Sequence, residues 1–580
     1  MATEYHSVSG ANASFRGVLV VARHQAQTFS EACYQLVNTG PADVISGWGG
    51  AVELMLLAAV RSGIPIGAHD VRGLFCARVA TEEDVIVAAE RLHAVDERAA
   101  LLKAAVKPHD DLFATFGVSP FSPQVVRWAA RWRLTPTQVT WFSVVLAVGA
   151  ALAFALGDRE FRIAGAILLY LSFVLDCVDG QLARFTGRFS SYGGWLDAIS
   201  DRVKEYIVYA GLAIGAAHTG TADVWPIALA AIALQTARHM TDTWYGAIQD
   251  EHIDRRTRAP LDVSADGFAA TPQPPGRSFS LRLGSALGYL SARAHDNRQS
   301  VLYWVKRTLP FPIGERWLLI GVTAAVFDAR ITFVCLLSGA AIAAIYTLTG
   351  RILRARIIRA SALGRHGTFL HRDSGAVDRF LGWIGQGRLR PLPIALIAAL
   401  PTVALLSLDS LGLAARQLTA TDDRLIVTAG LILLGAGLGA GHPHNGPLDW
   451  LVPAALRGAE YLFILLVARN EGVSPLLAFA LIGAVTVFHY DLAARHDTRS
   501  SPLPVRRIGF GWDVRVLFMT LAAGLGAGTL LFASLLSYLS VVFIVAALFG
   551  VYRSRRDLIG PVPPRQHIRH NETEAAIVER

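Results

Sequence analysis

Long apolar runs recur from about residue 138 to residue 553, each long enough to cross a hydrocarbon core of ~30 Å as a helix. Backbone groups in lipid must be satisfied within their own segment, which favours helices over open sheets. The sequence therefore predicts an all-α polytopic membrane protein. Composition agrees. Only 17% of the residues are charged, against roughly a quarter in soluble domains, and the mean hydropathy is +0.41. The opening MATEYHSVSGANAS has no basic stretch leading into an apolar one, so no cleaved signal peptide is expected.

Twelve spans are expected, near 138–156, 160–183, 194–217, 223–246, 315–330, 331–351, 391–408, 424–441, 449–468, 475–492, 515–532 and 535–553. The connections GDRE, AHTGTAD and FDAR carry little positive charge. ARFTGR, the segment 249–312 and RILRARIIRASALGRHGTFLHR carry much arginine. Arginine at alternate ends places both termini in the cytoplasm of a multi-pass cell-membrane protein. FSPQVVRWAARWR at 121–133 reads as an amphipathic helix in the membrane interface.

Residues 1–106 are soluble in character. FRGVLVVAR and ADVISGW read as short strands, and SEACYQLVNTG and AVELMLLAAVRSG as helices, so a small cytoplasmic α/β domain is expected. A Thr-x-x-Asp signal at Thr81 to Asp84 opens a charged helix. GWGG at 47–50 lacks the spacing of a phosphate loop and reads as a turn. The expected organisation is this domain at 1–106, a first membrane domain at 107–352 with a cytoplasmic insertion at 249–312, a basic connector at 353–390, a second membrane domain at 391–553 and a tail at 554–580. Four scattered cysteines point to free thiols rather than a disulfide framework. The net charge of +9 suits anionic lipid, and without a basic aromatic array no nucleic-acid partner is expected.

Into this apolar chain the stretch VLDCVDGQLARFTGRFSSYGGWLDAISDRVKE, residues 174–205, places Asp176, Asp179, Asp197 and Asp201. One aspartate in mid-span costs about 2.5–3.5 kcal/mol, so four uncompensated ones would cost on the order of 10 kcal/mol. They must reach water, pair with cations, or both. Asp176 and Asp179 share one helix face by spacing, and Asp197 and Asp201 another. A loop of about ten residues makes the two helices antiparallel neighbours, so all four carboxylates can converge. Arg184 and Arg202 are too few to neutralise them, and a hard divalent cation, Mg2+ or Mn2+, is the natural complement. Small residues at Gly180, Ala183 and Gly193 admit a close approach.

The pattern Asp176-x-x-Asp179-Gly180-x-x-Ala183-Arg184, eight residues, then Gly193-x-x-x-Asp197-x-x-x-Asp201 resembles the signature of the CDP-alcohol phosphatidyltransferases, with all eight positions present. The resemblance covers about 107–352. It implies a six-helix bundle, a CDP-linked lipid donor and a small alcohol or phosphorylated polyol acceptor. It also implies about two metal ions on Asp176, Asp179, Asp197 and Asp201, with Asp201 as general base. Gly180, Ala183, Arg184, Thr137 and Gly193 would line the CDP site, Thr137 standing where many relatives carry Asn. Membrane lipids and a second copy of the chain are the other partners expected.

An acceptor carrying phosphate would need cations beside the metals, and Arg202, Lys204 and Arg238 are the candidates. An ion-coupled transporter is the competing class, but the acids form one cluster with no counterpart in the second six spans. A non-catalytic scaffold is disfavoured by the complete signature. The N-terminal unit lies where some relatives carry a nucleotidyltransferase, yet it is too short and lacks a nucleotide loop, so a regulatory or vestigial role is expected. The second membrane block resembles an uncharacterised region appended to such transferases in actinobacteria. Its His442, His444, His489, Asp491 and His496 read as interfacial or loop residues in preference to a second metal site. The chemistry is expected to reside in the first six spans, so a chain ending near Ser361 should keep it.

Overall fold

A computed structural model describes residues 25–39, 81–107, 110–221, 223–258, 301–358, 371–410, 423–497 and 509–557, with scattered positions between 19 and 79. The chain divides into two compact units. One is Met1–Pro108 with His252–Arg277, and the other is His109–Glu251 with Ser278–Arg580.

The first unit holds α1 (Ala26–Thr39), α2 (Glu82–His93) and α3 (Glu97–Ala105). Thr81 and Asp84 cap α2 reciprocally, as the sequence signal requires. Ala32, Leu36 and Ala58 form a small core with Cys33, Leu54 and Ile64 around them. The expected α/β character is not supported: no strand occurs among the described residues. Residues 19–21 of FRGVLVVAR are irregular, and ADVISGW lies outside the described residues. Short β-branched runs also suit helix or coil, and only a partner strand would have decided the matter.

The second unit is helical throughout its described residues. After a π-turn at Ala114–Val118 come α4 (Ser122–Arg131), α5 (Pro136–Leu156), α6 (Arg159–Thr186), α7 (Ser191–His218), α8 (Trp225–Arg258), α9 (Val301–Thr308), α10 (Ile313–Val326) and α11 (Ala329–Ile358). The second block comprises α12 (Ala376–Gly385), α13 (Pro391–Ser410), α14 (Asp423–Leu434), α15 (Val452–Asn470), α16 (Pro475–Asp497), α17 (Trp512–Leu525) and α18 (Gly528–Asp557).

Most expected spans coincide with a helix, but 515–532 runs across the break between α17 and α18, and among the described residues only six stretches are long and apolar enough to cross a membrane. They are Pro136–Leu156, Arg159–Thr186, Ala329–Ala355, Pro391–Leu408, Asp449–Asn470 and Gly528–Phe549. The count of twelve is therefore not supported. α10, α14 and α17 fall short of the ~17 residues a span needs. α7 packs Asp197, Asp201, Arg202, Lys204 and Glu205 into nine residues. The protein is multi-pass, and its charged helix lies within the bundle.

α5 packs along both α6 and α7. Glycines make the second contact close: a Cβ at Gly211 would lie 2.3 Å from the Ala151 carbonyl oxygen, and one at Gly215 would lie 2.1 Å from that of Phe154. Helix α4 buries Val126 and Ala129 and exposes Trp128, and Trp132 just past its end is exposed as well, in keeping with its amphipathic sequence.

Candidate active site

α5 supplies the base of the site. Thr135 and Gln138 form a reciprocal cap with Pro136 in the first turn, which fixes where the helix starts. One turn on, Thr140 donates to Asp179 Oδ2 at 2.5 Å. Ser143 lies a further turn along and receives a hydrogen bond of 3.2 Å from Lys204 Nζ.

Asp176 and Asp179 come from the last turns of α6, and Asp197 and Asp201 from the first turns of α7. Only Gly187 to Ser190 separate the two helices, a shorter link than the expected loop. Ser190 caps α7 by accepting from Gly193 N at 2.9 Å. A Cβ at Gly193 would come within 2.9 Å of that hydroxyl, so the cap requires a residue without one. The expectation that α6 and α7 run side by side is corrected: both pack on α5, and their ends meet at the carboxylates.

Oxygen atoms of Asp176, Asp179 and Asp197 lie within 4.8 Å of one another. Burial is graded across the cluster, with Asp179 buried, Asp176 intermediate and Asp197 exposed. Asp201 stands beside this trio. It is joined to it by Lys204, whose ammonium lies 3.2 Å from Asp201 Oδ1 and bonds Asp176 Oδ1. Three converging carboxylates with hard oxygen donors fit a divalent cation. Arg184 lies across Gly180, its guanidinium 3.4 Å from where a Cβ would sit, in the field of Asp179 and Asp197. Thr137 Oγ1 is 3.9 Å from the corresponding point on Gly193. Ala183, between these groups on α6, is half-buried.

The three basic candidates for an acceptor are not gathered into one pocket. Lys204 is fully buried within the carboxylate cluster. Arg202 pairs with Glu205 at 3.1 Å and lies over the Tyr490 ring at 5.2 Å. Arg238 donates to the Pro310 carbonyl at 2.6 Å and to Gln235 at 3.3 Å.

Sequence reasoning passed over Thr140, Ser143, Glu205 and Arg316. Glu205 accepts two hydrogen bonds from Arg316 (2.9 and 3.2 Å) and one from Tyr209 (2.7 Å). That bidentate pair ties α7 to α10 directly behind the site. A signal was present: two opposite charges in apolar helices need partners, and each is the other's.

The second block also reaches this region. Trp195, two residues before Asp197, donates to Asp491 Oδ1 at 2.7 Å. The ring of Tyr490 lies 4.2 Å from that of His239 on α8. His444 lies in a loop, as expected, but is buried, and His489 and Asp491 are buried within α16. The side chain of His496 lies outside the described residues, and His442 is half-buried.

A model of the CDP-alcohol phosphatidyltransferases matches residues 133–263, and one for a family of unknown function matches residues 372–557. The archaetidylinositol phosphate synthase of Aeropyrum pernix is 35% identical over 104 residues, 18% of this chain and 52% of that protein. Phosphatidylinositol phosphate synthases of Cutibacterium acnes and Streptomyces avermitilis are 35% identical over 95 residues and 30% over 122. Those stretches are 16% and 21% of this chain and 45% and 48% of the relatives. The chain thus spans about half the length of these curated relatives. Three aspartates of the signature, Asp176, Asp179 and Asp197, converge inside the region that the CDP-alcohol phosphatidyltransferase model matches, so it is residues 133–263 that are similar to that family.

Proposed function

We propose that the chain is an integral membrane phosphotransferase of phospholipid biosynthesis. It moves a substituted phosphoryl group, of phosphatidyl type, from a CDP-linked lipid to an acceptor alcohol and releases CMP. The observation that carries this reading is the convergence of Asp176, Asp179 and Asp197 at the meeting of α6 and α7. The names of the relatives favour an inositol phosphate as the acceptor.

Asp176, Asp179, Asp197 and Asp201 would hold Mg2+ or Mn2+, two ions in this reading. When bound, such cations offset pyrophosphate charge and hold the phosphorus for in-line displacement. The bare surface of Gly180, with Ala183, Arg184, Thr137 and Gly193, would line the CDP site. Asp201, set apart from the trio, takes the proton from the acceptor hydroxyl. The acceptor oxygen then bonds to phosphorus as the bond from phosphorus to CMP breaks. Lys204 and Arg202 border the carboxylates and supply positive charge for an acceptor phosphate, whereas Arg238 lines a different cavity. The distribution of arginine supports a cytoplasmic active site with both termini on the same side.

The test follows CMP released from CDP-diacylglycerol by the purified full-length chain. Inositol phosphate, glycerol phosphate, serine and inositol are offered in turn. Turnover should require Mg2+ or Mn2+, vanish in EDTA, and be fastest with inositol phosphate. Sustained CMP release by metal-free protein would sink the metal reading, and equal rates with all four acceptors would sink the acceptor assignment.

A further inference from the structure

Lys204 is one of only four lysines in a chain that otherwise draws its positive charge from arginine. It lies on α7 three residues past Asp201 and is fully buried. Three oxygens surround its ammonium. It bonds Asp176 Oδ1, donates to Ser143 Oγ at 3.2 Å and lies 3.2 Å from Asp201 Oδ1. The ring centre of Trp317 is 5.5 Å away. The ammonium thus stands between aspartates of two helices, Asp176 inside the carboxylate trio and Asp201 outside it.

The trio can gather a first divalent ion without Asp201, because oxygens of Asp176, Asp179 and Asp197 lie within 4.8 Å of one another. Asp176 gives Lys204 only Oδ1, and a carboxylate has a second oxygen to offer. Asp201 is placed differently. Any ion that it holds lies beside the ammonium already paired with it, and the two positive charges repel.

The choice of lysine bears on whether that pairing can be exchanged. One residue on, Glu205 is held by Arg316 through two hydrogen bonds, of 2.9 and 3.2 Å. Such a planar fork fixes a carboxylate by geometry as well as charge, whereas an ammonium is a compact point charge on a flexible stem. Ser143 and the Trp317 ring are neutral partners that it can keep when a carboxylate leaves it.

We propose that Lys204 is an internal competitor for the second divalent cation, so that the site loads its two ions in steps of unequal affinity. The inference rests on reading the four aspartates as a two-ion centre. The first ion settles on the trio with the ammonium in place. The second takes Asp201 only by displacing the ammonium. In the singly loaded site Lys204 still covers the proposed base, so the free Mg2+ concentration governs turnover.

The test counts Mn2+ bound to the purified full-length chain, without donor or acceptor, by electron paramagnetic resonance of the free hydrated ion. Two ions should bind, with dissociation constants that differ by roughly tenfold or more. That is the low end of what one adjacent charge does to proton binding at a carboxylate. Lys204→Met keeps the stem and removes the charge, so it should tighten the second step by roughly tenfold and change the first far less. Lys204→Arg keeps the charge and should keep the gap. Lys204→Met should also melt lower in EDTA yet gain more from saturating Mn2+ than the unaltered chain. A lysine with a structural role alone would lower the melting temperature without tightening either step. Two ions of equal affinity in the unaltered chain overturn the proposal without any variant having to fold. So does a second step that Lys204→Met leaves unmoved, or that Lys204→Arg tightens equally. Saturation at one ion or none in both the unaltered chain and Lys204→Met would overturn the two-ion reading as well, so the two failures are separable.

Discussion

At the scale of single residues, the four aspartates are not equivalent, and their surroundings say how they should differ. Asp176 and Asp179 are held from behind, by Lys204 and by Thr140, while Asp201 stands outside the trio. Asp201→Asn should spare most CDP-lipid binding and abolish transfer, because it removes the proposed base. Asp176→Asn should damage both. Equal loss of donor affinity in the two variants would refute the division of labour. Thr140→Val leaves every carboxylate in place but deletes a hydrogen bond that orients Asp179. By the usual cost of losing a group behind a metal ligand, the role proposed for Asp179, Mg2+ affinity should fall roughly 10–100-fold. A magnesium titration of CMP release would detect it, and an unchanged half-saturation point would show Thr140 to be a bystander. The carboxylates were legible in the sequence because their spacing is periodic and local. Thr140 and Arg316 were not, since their partners lie 39 and 111 residues away in the chain.

At the scale of elements, the helices were legible and their roles in the membrane less so. Capping at Thr81 reads directly from sequence, because a cap is satisfied within three residues. The buried charges of the second block do not read that way. Arg515 of α17 bonds Glu460 of α15 at 2.5 Å, Asp373 at 2.9 Å and His489 of α16 at 3.1 Å. Arg372 meets Asp378 at 2.8 Å, and Asp378 and Gly375 donate their backbone N–H groups to Asp513. Beside this network, burial and then the neighbouring Arg372 push the His444 imidazole down to about 3. Burial likewise holds His371 well below its ordinary value, with His444 and Arg372 adding to the effect. Both histidines are therefore neutral in the folded protein, whereas an unfolded chain protonates them near pH 6.5. A depressed histidine pKa contributes stability that is present above that value and lost as pH falls. Acidification from pH 7.5 to 5 should lower stability by about 2 kcal/mol per histidine at most. The reading is the melting temperature of the detergent-solubilised protein against pH, compared with the double variant His371→Asn, His444→Asn. A melting curve whose acid shift is the same in both would show that these histidines are not its source.

At the scale of the whole molecule, the two membrane blocks read as separable in the sequence because the signature lies wholly in the first. The packing argues otherwise. Trp195 on the signature helix donates to Asp491, and its ring meets Phe543 of α18 at 6.2 Å between centroids. Arg202, the neighbour of Asp201, rests over Tyr490. Met240, Trp244 and Tyr245 of α8 share a core with Trp450. None of these residues is one of the four aspartates, yet the contacts of Trp195 and Arg202 restrain the helix that carries Asp197 and Asp201, and misplacement by about 1 Å can cost on the order of 100-fold in rate. A chain ending near Ser361 should therefore keep its donor specificity but lose most of its turnover, whereas the sequence alone suggests that it keeps the chemistry, even if less stable. Full-length Asp491→Asn should show the same effect in smaller measure. Losing a hydrogen bond to a charged group is worth about 1.5–3 kcal/mol, an upper bound on the cost of displacing α7. The discriminating measurement is kcat against apparent Mg2+ affinity for the full chain, the shortened chain and Asp491→Asn. Positioning through α7 predicts that both quantities fall together and that Asp491→Glu restores them in part. A shortened chain that folds, binds Mg2+ normally and releases CMP at the full rate would return the chemistry to the first block alone.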